Sequence, residues 1–194
     1  MSHPYKGFEP NWVRGEFPKD SYRSIFKWGD PLEIKAPRES LYRMMKEKFG
    51  MTDDDFKAYT EDTGFDSVRF DIPITLKERD LDAFRAIVGK DYVRTDDYAR
   101  LSVAYGKTMY DLLRLRNKIV ENVPDAVLYP DTKEQVEQIV SYCAKEKIPL
   151  YVYGGGSSVT RGVECVKGGI SLDFRLRFNK VVSFSEIDQT ITVE

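Results

Sequence analysis

Histidine is almost missing from this chain: among 194 residues there is one, His3. A Ser-His or Cys-His nucleophilic pair therefore has no internal base, and a histidine-based metal site is excluded for this segment. Cysteine is nearly as sparse. Cys143 and Cys165 are too few and too far apart for a disulfide framework or a zinc site, and Cys143 falls on the apolar face of an expected helix as a small buried hydrophobe. No sign of charge dominates, since 30 Lys and Arg face 32 Asp and Glu for a net charge of -2, and no basic field draws nucleic acid or an anionic membrane. No apolar run approaches the roughly 18 residues that a membrane span needs. The opening "MSHPYKGFEPNWVRG" lacks the apolar stretch of a secretion signal. A cytoplasmic protein with no nucleic-acid partner and no transmembrane segment is expected.

What is present is an ordinary globular composition, 41% hydrophobic and 32% charged, on a chain long enough for one large domain or two small ones. Residues 1–37 are rich in aromatics, Pro and Gly and read as an arm anchored by Trp12, Phe17, Tyr22, Phe26 and Trp28. Helical periodicity follows at 39–49, where Leu41, Met44, Met45 and Phe49 share a stripe, and again at 77–88 and 96–117. Thr52 is a candidate cap before the acidic run "TDDDF", whose carboxylates suit a helix start. The carboxylates there and in "RTDDYA" read as solvated, because neither group sits in the apolar isolation that raises a catalytic pKa. A mainly helical region is therefore expected over residues 1–120.

The texture changes after residue 120. "DAVLYP" is a short apolar strand, and "DTKEQVEQIVSYCAKEK" is a helix with a box-like start at Asp131 and Glu134 and an apolar face of Val136, Ile139, Val140, Cys143 and Ala144. "IPLYVYG" is the next strand. Strand, helix, strand in about 30 residues makes a βαβ unit, which implies a parallel pair and a right-handed crossover. "ISLDFRLRF" alternates like a half-buried strand, and "VVSFSEIDQTITVE" reads as a hairpin turning near Asp188. The fold class expected is α+β, a helical N-terminal region followed over 121–194 by an incomplete α/β half-domain.

The chemistry concentrates in "YVYGGGSS". Glycines without side chains let an anion reach the backbone, successive amides can form a concave nest, and Ser157 and Ser158 add hydroxyl donors. The loop leaves the carboxyl end of a parallel strand, where ligands of α/β sheets bind. It is neither of two familiar phosphate loops: the dinucleotide fingerprint needs glycine at Val159, and the Walker pattern needs Lys-Ser/Thr after Gly162. The residues alone leave a phosphate cradle and a merely flexible loop equally open. Arg161 reads as a solvated loop cation with phosphate pairing as the alternative, and Lys107 reads as a helix-surface lysine.

The proline-closed strand, the capped helix, "IPLYVYGGGSS", "KGGISLDF" and "FNKVVSF…ITVE" together resemble the first half of the FAD-binding domain of the vanillyl-alcohol oxidase (PCMH) type. "RTDDYARLSVAYGKTMYDLLRLRNKIVENVPDAVLYPDTKEQVEQIV" resembles the segment leading into that domain in alkyldihydroxyacetonephosphate synthases and their bacterial FAD-linked oxidase relatives. Tyr105-Gly106-Lys107 resembles a tyrosine/histidine-Gly-Lys stretch of those bacterial FAD-linked oxidases, which implies a substrate or domain contact for Lys107 as the alternative. The resemblance implies that Val152, Tyr153, Gly154, Gly155, Gly156, Ser157 and Ser158 hold the FAD diphosphate. It implies no covalent flavin link, because glycine and serine stand where many relatives carry a linking histidine. It implies a small-molecule or lipid-like substrate, a homodimer, and ether-lipid synthesis in which a long-chain alcohol replaces the acyl group of an acylated dihydroxyacetone phosphate. FAD-linked oxidation of a 2-hydroxy acid such as glycolate or D-lactate is the alternative within the class, and a non-catalytic module for a phosphorylated ligand the alternative outside it. The family's catalytic residues lie beyond this stretch, so no catalytic residue and no metal is expected here.

Overall fold

A computed structural model of the chain describes residues 18–25, 38–57 and 64–194. Of the arm's expected anchors, Tyr22 is buried in a single 3-10 turn, Tyr22–Ser24, while Trp12, Phe17, Phe26 and Trp28 lie outside the described residues. That turn docks on residues 66–68, where the Val68 amide donates to the Asp20 carbonyl at 2.8 Å and the Tyr22 amide to the Asp66 carbonyl at 3.2 Å.

Helices α1 (Glu39–Phe49) and α2 (Asp53–Lys57) follow. Thr52 caps α2 reciprocally: its amide and hydroxyl donate to the Asp55 carboxylate, and its hydroxyl accepts from the Asp55 amide. The apolar stripe of α1 is not core. None of its residues is buried, and Phe49 is 71% exposed.

Helix α3 (Glu78–Val88) leads into the short strand β1 (Val93–Arg94). The expected helix over 96–117 is two helices, α4 (Asp97–Ser102) and α5 (Met109–Arg116). Each has its own cap, since the Asp96 carboxylate accepts from the Ala99 amide and the Thr108 hydroxyl from the Asp111 amide. Each capping side chain starts a helix of its own, and periodicity alone does not show this.

Strand β2 (Ala126–Leu128), helix α6 (Lys133–Glu146) and strands β3 (Leu150–Tyr153) and β4 (Ile170–Asp173) complete the centre. The cap of α6 is Thr132 rather than Asp131: its hydroxyl accepts from the Gln135 amide, and the Gln135 side chain reaches back to the Asp131 amide. The sheet order is β1-β2-β4-β3, with β2 and β3 both parallel to β4 and β1 antiparallel to β2. The two strands of the expected βαβ unit are thus parallel but not neighbours, because β4 enters the gap between them. Asp125 anchors that insertion by accepting from the Gly169 and Thr75 amides and the Thr75 hydroxyl. Strand β4 is shorter than the alternation suggested. All four of its residues are buried, as suits a central parallel strand covered on both faces.

One face of the sheet (Ala126, Leu128, Ile170, Leu172) packs under α3 and α6 through Leu81, Phe84, Val88, Ile139 and Cys143. The other face presents Val127 and Tyr153 to Ala99 of α4, to Val103 just past the end of that helix and to Val163. Strands β5 (Val181–Ser185) and β6 (Thr190–Val193) form a separate antiparallel hairpin that turns at 186–189, as expected. No helix among the described residues is long and apolar enough to cross a membrane.

Candidate functional site

The glycine loop leaves the carboxyl end of β3, an edge strand of the sheet. Two of the seven residues expected to hold phosphate belong to that strand. Val152 pairs with Leu172, and Tyr153 pairs with Asp173 and accepts from the Phe174 amide through its carbonyl at 3.1 Å. Residues 154–158 lie outside the ladder. Among the described residues, none of their five amides donates to a protein acceptor, and neither do the hydroxyls of Ser157 and Ser158. Gly154, Gly155 and Ser157 are exposed.

The glycines have separable reasons. Gly156 has φ +69°, and a Cβ there would stand 2.2 Å from the Tyr153 hydroxyl oxygen, so the fold itself requires it. A Cβ on Gly154 or Gly155 would meet nothing within 4 Å. No folded-state contact demands glycine at those two positions, which leaves bare backbone open to a ligand.

The loop is held from behind by the break between α4 and α5. The Lys107 amide donates to the Ser158 carbonyl at 2.8 Å, and a Cβ on Gly106 would come within 2.2 Å of that same oxygen. Sequence periodicity ran a helix through Gly106; the structure shows it as the point of closest backbone approach. Behind this contact lies a buried charge cluster. Arg114 donates to Asp111 at 2.6 Å and to Glu121 and Glu164 at 2.9 Å, and Asn122 also donates to Glu164. Arg161, with φ +63°, gives Glu164 two hydrogen bonds at 2.6 and 2.8 Å, so its charge is directed to that carboxylate.

In front of the loop is a cavity of about 550 Å³ lined by Gly155, Tyr153, Lys107, Tyr129, Asp173 and Arg175, among others. Asp173 is buried and takes a two-pronged ion pair from Arg175 at 2.6 and 2.9 Å. The Arg175 guanidinium also lies 4.5 Å from the centre of the Tyr153 ring. Burial, aided by the Asp173 charge, pushes the Tyr129 phenol up to about 12, and burial raises the Tyr153 phenol, so both present neutral hydroxyls to the cavity. The Lys107 side chain turns inward and donates to the Ile25 carbonyl at 2.5 Å. Asp173, Arg175 and Tyr129 were missed because the alternating reading of "ISLDFRLRF" treated Asp173 and Arg175 as outward polar residues. A carboxylate closing the short strand Ile170–Asp173 is the signal that marked Asp173 and, two residues on, Arg175.

The arrangement fits a diphosphate. Among the described residues five loop amides and two hydroxyls have no acceptor, the buried Asp173 carboxylate is paired with Arg175, and a Cβ at Gly154 or Gly155 would meet nothing within 4 Å.

Comparison with known proteins agrees. Residues 124–194 match the family described as FAD binding domain. An alkyldihydroxyacetonephosphate synthase of Trypanosoma brucei brucei is 31% identical over 130 residues, which covers 66% of this chain and 21% of that protein. A mitochondrial cytochrome D-lactate dehydrogenase of Arabidopsis thaliana is 33% identical over 73 residues, 38% of this chain and 13% of that protein. A solved alkyldihydroxyacetonephosphate synthase superposes with a TM-score of 0.58 at 29% identity, over 63% of this chain and 25% of that structure. The chain thus spans about a fifth to a quarter of the synthases it matches.

Proposed function

We propose that the loop at 154–158 holds the diphosphate of FAD and that the chain supplies the first part of the FAD-binding domain of a flavoenzyme, a reading supported by the match of residues 124–194 to the family described as FAD binding domain. The single observation that carries this is the set of five loop amides without an acceptor among the described residues, on a loop whose Gly155 lines the cavity. The loop residues hold FAD without a covalent bond to it, because no histidine stands among them. When bound, the isoalloxazine supplies redox chemistry that protein side chains lack. The residues of this chain bind and orient the cofactor, and the catalytic side chains belong to parts of the enzyme outside its span.

The activity we assign to the whole protein is of the alkyldihydroxyacetonephosphate synthase type, supported by the identity and the superposition with those enzymes. Oxidation of a 2-hydroxy acid is the second reading, supported by the D-lactate dehydrogenase relative. Full-length protein should purify yellow and release FAD on denaturation. Activity with an acylated dihydroxyacetone phosphate and a fatty alcohol supports the first reading, and flavin reduction by D-lactate or glycolate supports the second. The binding claim has its own test in Gly155→Val. A Cβ there meets nothing within 4 Å, so the fold is expected to be kept while bulk enters the phosphate approach. FAD affinity is expected to fall about a hundredfold or more, the worth of two or so charge-assisted hydrogen bonds. Unchanged flavin occupancy in that variant, or a colourless wild-type preparation that ignores added FAD, removes the assignment.

A further inference from the structure

Lys107 follows Gly106 in the break between α4 and α5, and its amide fastens it to the glycine loop through the Ser158 carbonyl. Its side chain is half-buried and lines the same cavity as Gly155 and Arg175. The other cations there have partners: Arg175 pairs with Asp173, and Arg94 with Asp96 at 2.6 Å. Among the described residues no carboxylate comes within ion-pair distance of the Lys107 ammonium, and its one acceptor is the Ile25 carbonyl. An ammonium has three donors, so two are left without an acceptor among the described residues. Holding a cation out of water without a counter-charge is costly. The cost is visible in the lysine itself, whose pKa is lowered by burial and by the nearby Arg175 charge, with Asp111 opposing. A partly desolvated cation that shares a cavity with Gly155, on a loop whose five amides have no acceptor among the described residues, is a place for an oxyanion.

We propose that Lys107 is a phosphate-binding residue, its ammonium and the amides of residues 154–158 gripping one phosphate group in the cavity between the glycine loop and Arg175. This rests on the reading of the loop given above and adds the charge that neutral amides lack. The phosphate has two possible sources, the diphosphate of FAD or a phosphate monoester substrate.

Lys107→Met and Lys107→Arg in the full-length protein separate them. FAD dissociation constants of the apoprotein are measured by flavin fluorescence at low and high salt, and inorganic phosphate binding is measured calorimetrically on the FAD-loaded protein. If the phosphate is the cofactor's, Lys107→Met weakens FAD about ten- to a hundredfold and flattens the salt dependence, and Lys107→Arg restores most of both. If it is the substrate's, FAD affinity holds and inorganic phosphate binding is lost. Should Lys107→Met lower the melting temperature of the apoprotein, Lys107→Gln, which keeps a donor for the Ile25 carbonyl without the charge, reads the same two affinities. Both affinities and the salt slope unchanged in the charge-removing variant overturn the proposal. The loop reading would still stand provided Gly155→Val loses its flavin.

Discussion

Glu164 offers a quantitative test of how the glycine loop is braced. The carboxylate is 6% exposed, and burial by itself would push its pKa up. Hydrogen bonds from Arg161, Arg114 and Asn122 outweigh that and hold it down at about 2 against an ordinary 4.5. The folded protein therefore binds this proton more weakly than the unfolded chain does. The stabilisation is complete above about pH 4.5 and is lost as pH falls towards 2. At about 1.4 kcal/mol per pKa unit, the depression corresponds to about 3 kcal/mol at pH 7, of which about 2 kcal/mol has gone by pH 3. Glu164→Gln keeps the shape and removes the titration. Urea unfolding followed by circular dichroism should show the variant about 3 kcal/mol less stable at pH 7, with the difference shrinking to about 1 kcal/mol at pH 3. A difference of the same size at both pH values would refute the electrostatic account, because the carboxylate would then act by packing alone.

Two further perturbations probe the same wall. Gly106→Ala places a methyl group 2.2 Å from the Ser158 carbonyl oxygen, so the loop must shift. Overpacking of about 1–3 kcal/mol and loss of the Lys107–Ser158 hydrogen bond at about 1 kcal/mol are expected. Calorimetry should show a lower melting temperature and absorbance a reduced FAD content, whereas an unchanged pair of values contradicts the contact. Burial raises the Cys143 thiol to about 11, and burial with the Asp125 and Glu164 charges raises Cys165 to about 12. Since the thiolate is the reactive form, an aromatic disulfide reagent at pH 8 should label neither until urea is added, and prompt labelling of native protein would contradict their placement.

The fold was legible where one periodicity ran between clear stops. "DAVLYP", the α6 face and "IPLYVYG" emerged as strand, helix and strand because apolar spacing and a threonine cap speak locally. Strand order did not, since nothing between residues 126 and 153 announces that β4 will lie between β2 and β3; that depends on Asp125 gripping Gly169 across 44 positions. The continuous helix through Gly106 failed for a related reason, because the atom that stops it, the Ser158 carbonyl oxygen, belongs to a segment 52 residues away in sequence. The loop itself was plain in the run of glycine and serine. Its surroundings were not. Asp173, Arg175, Tyr129 and Lys107 meet only through tertiary packing, and alternation in "ISLDFRLRF" assigned two of them to solvent. Arg161 was weighed between water and phosphate, and a buried carboxylate three residues on took it instead.

Hydrogen–deuterium exchange of the loop peptide, with and without FAD, examines the diphosphate grip at the atoms it invokes. The amides of residues 154–158 should exchange rapidly in the apoprotein, where they have no acceptor among the described residues, and become protected once FAD is added. Equal exchange in apoprotein and FAD-saturated protein would contradict the account.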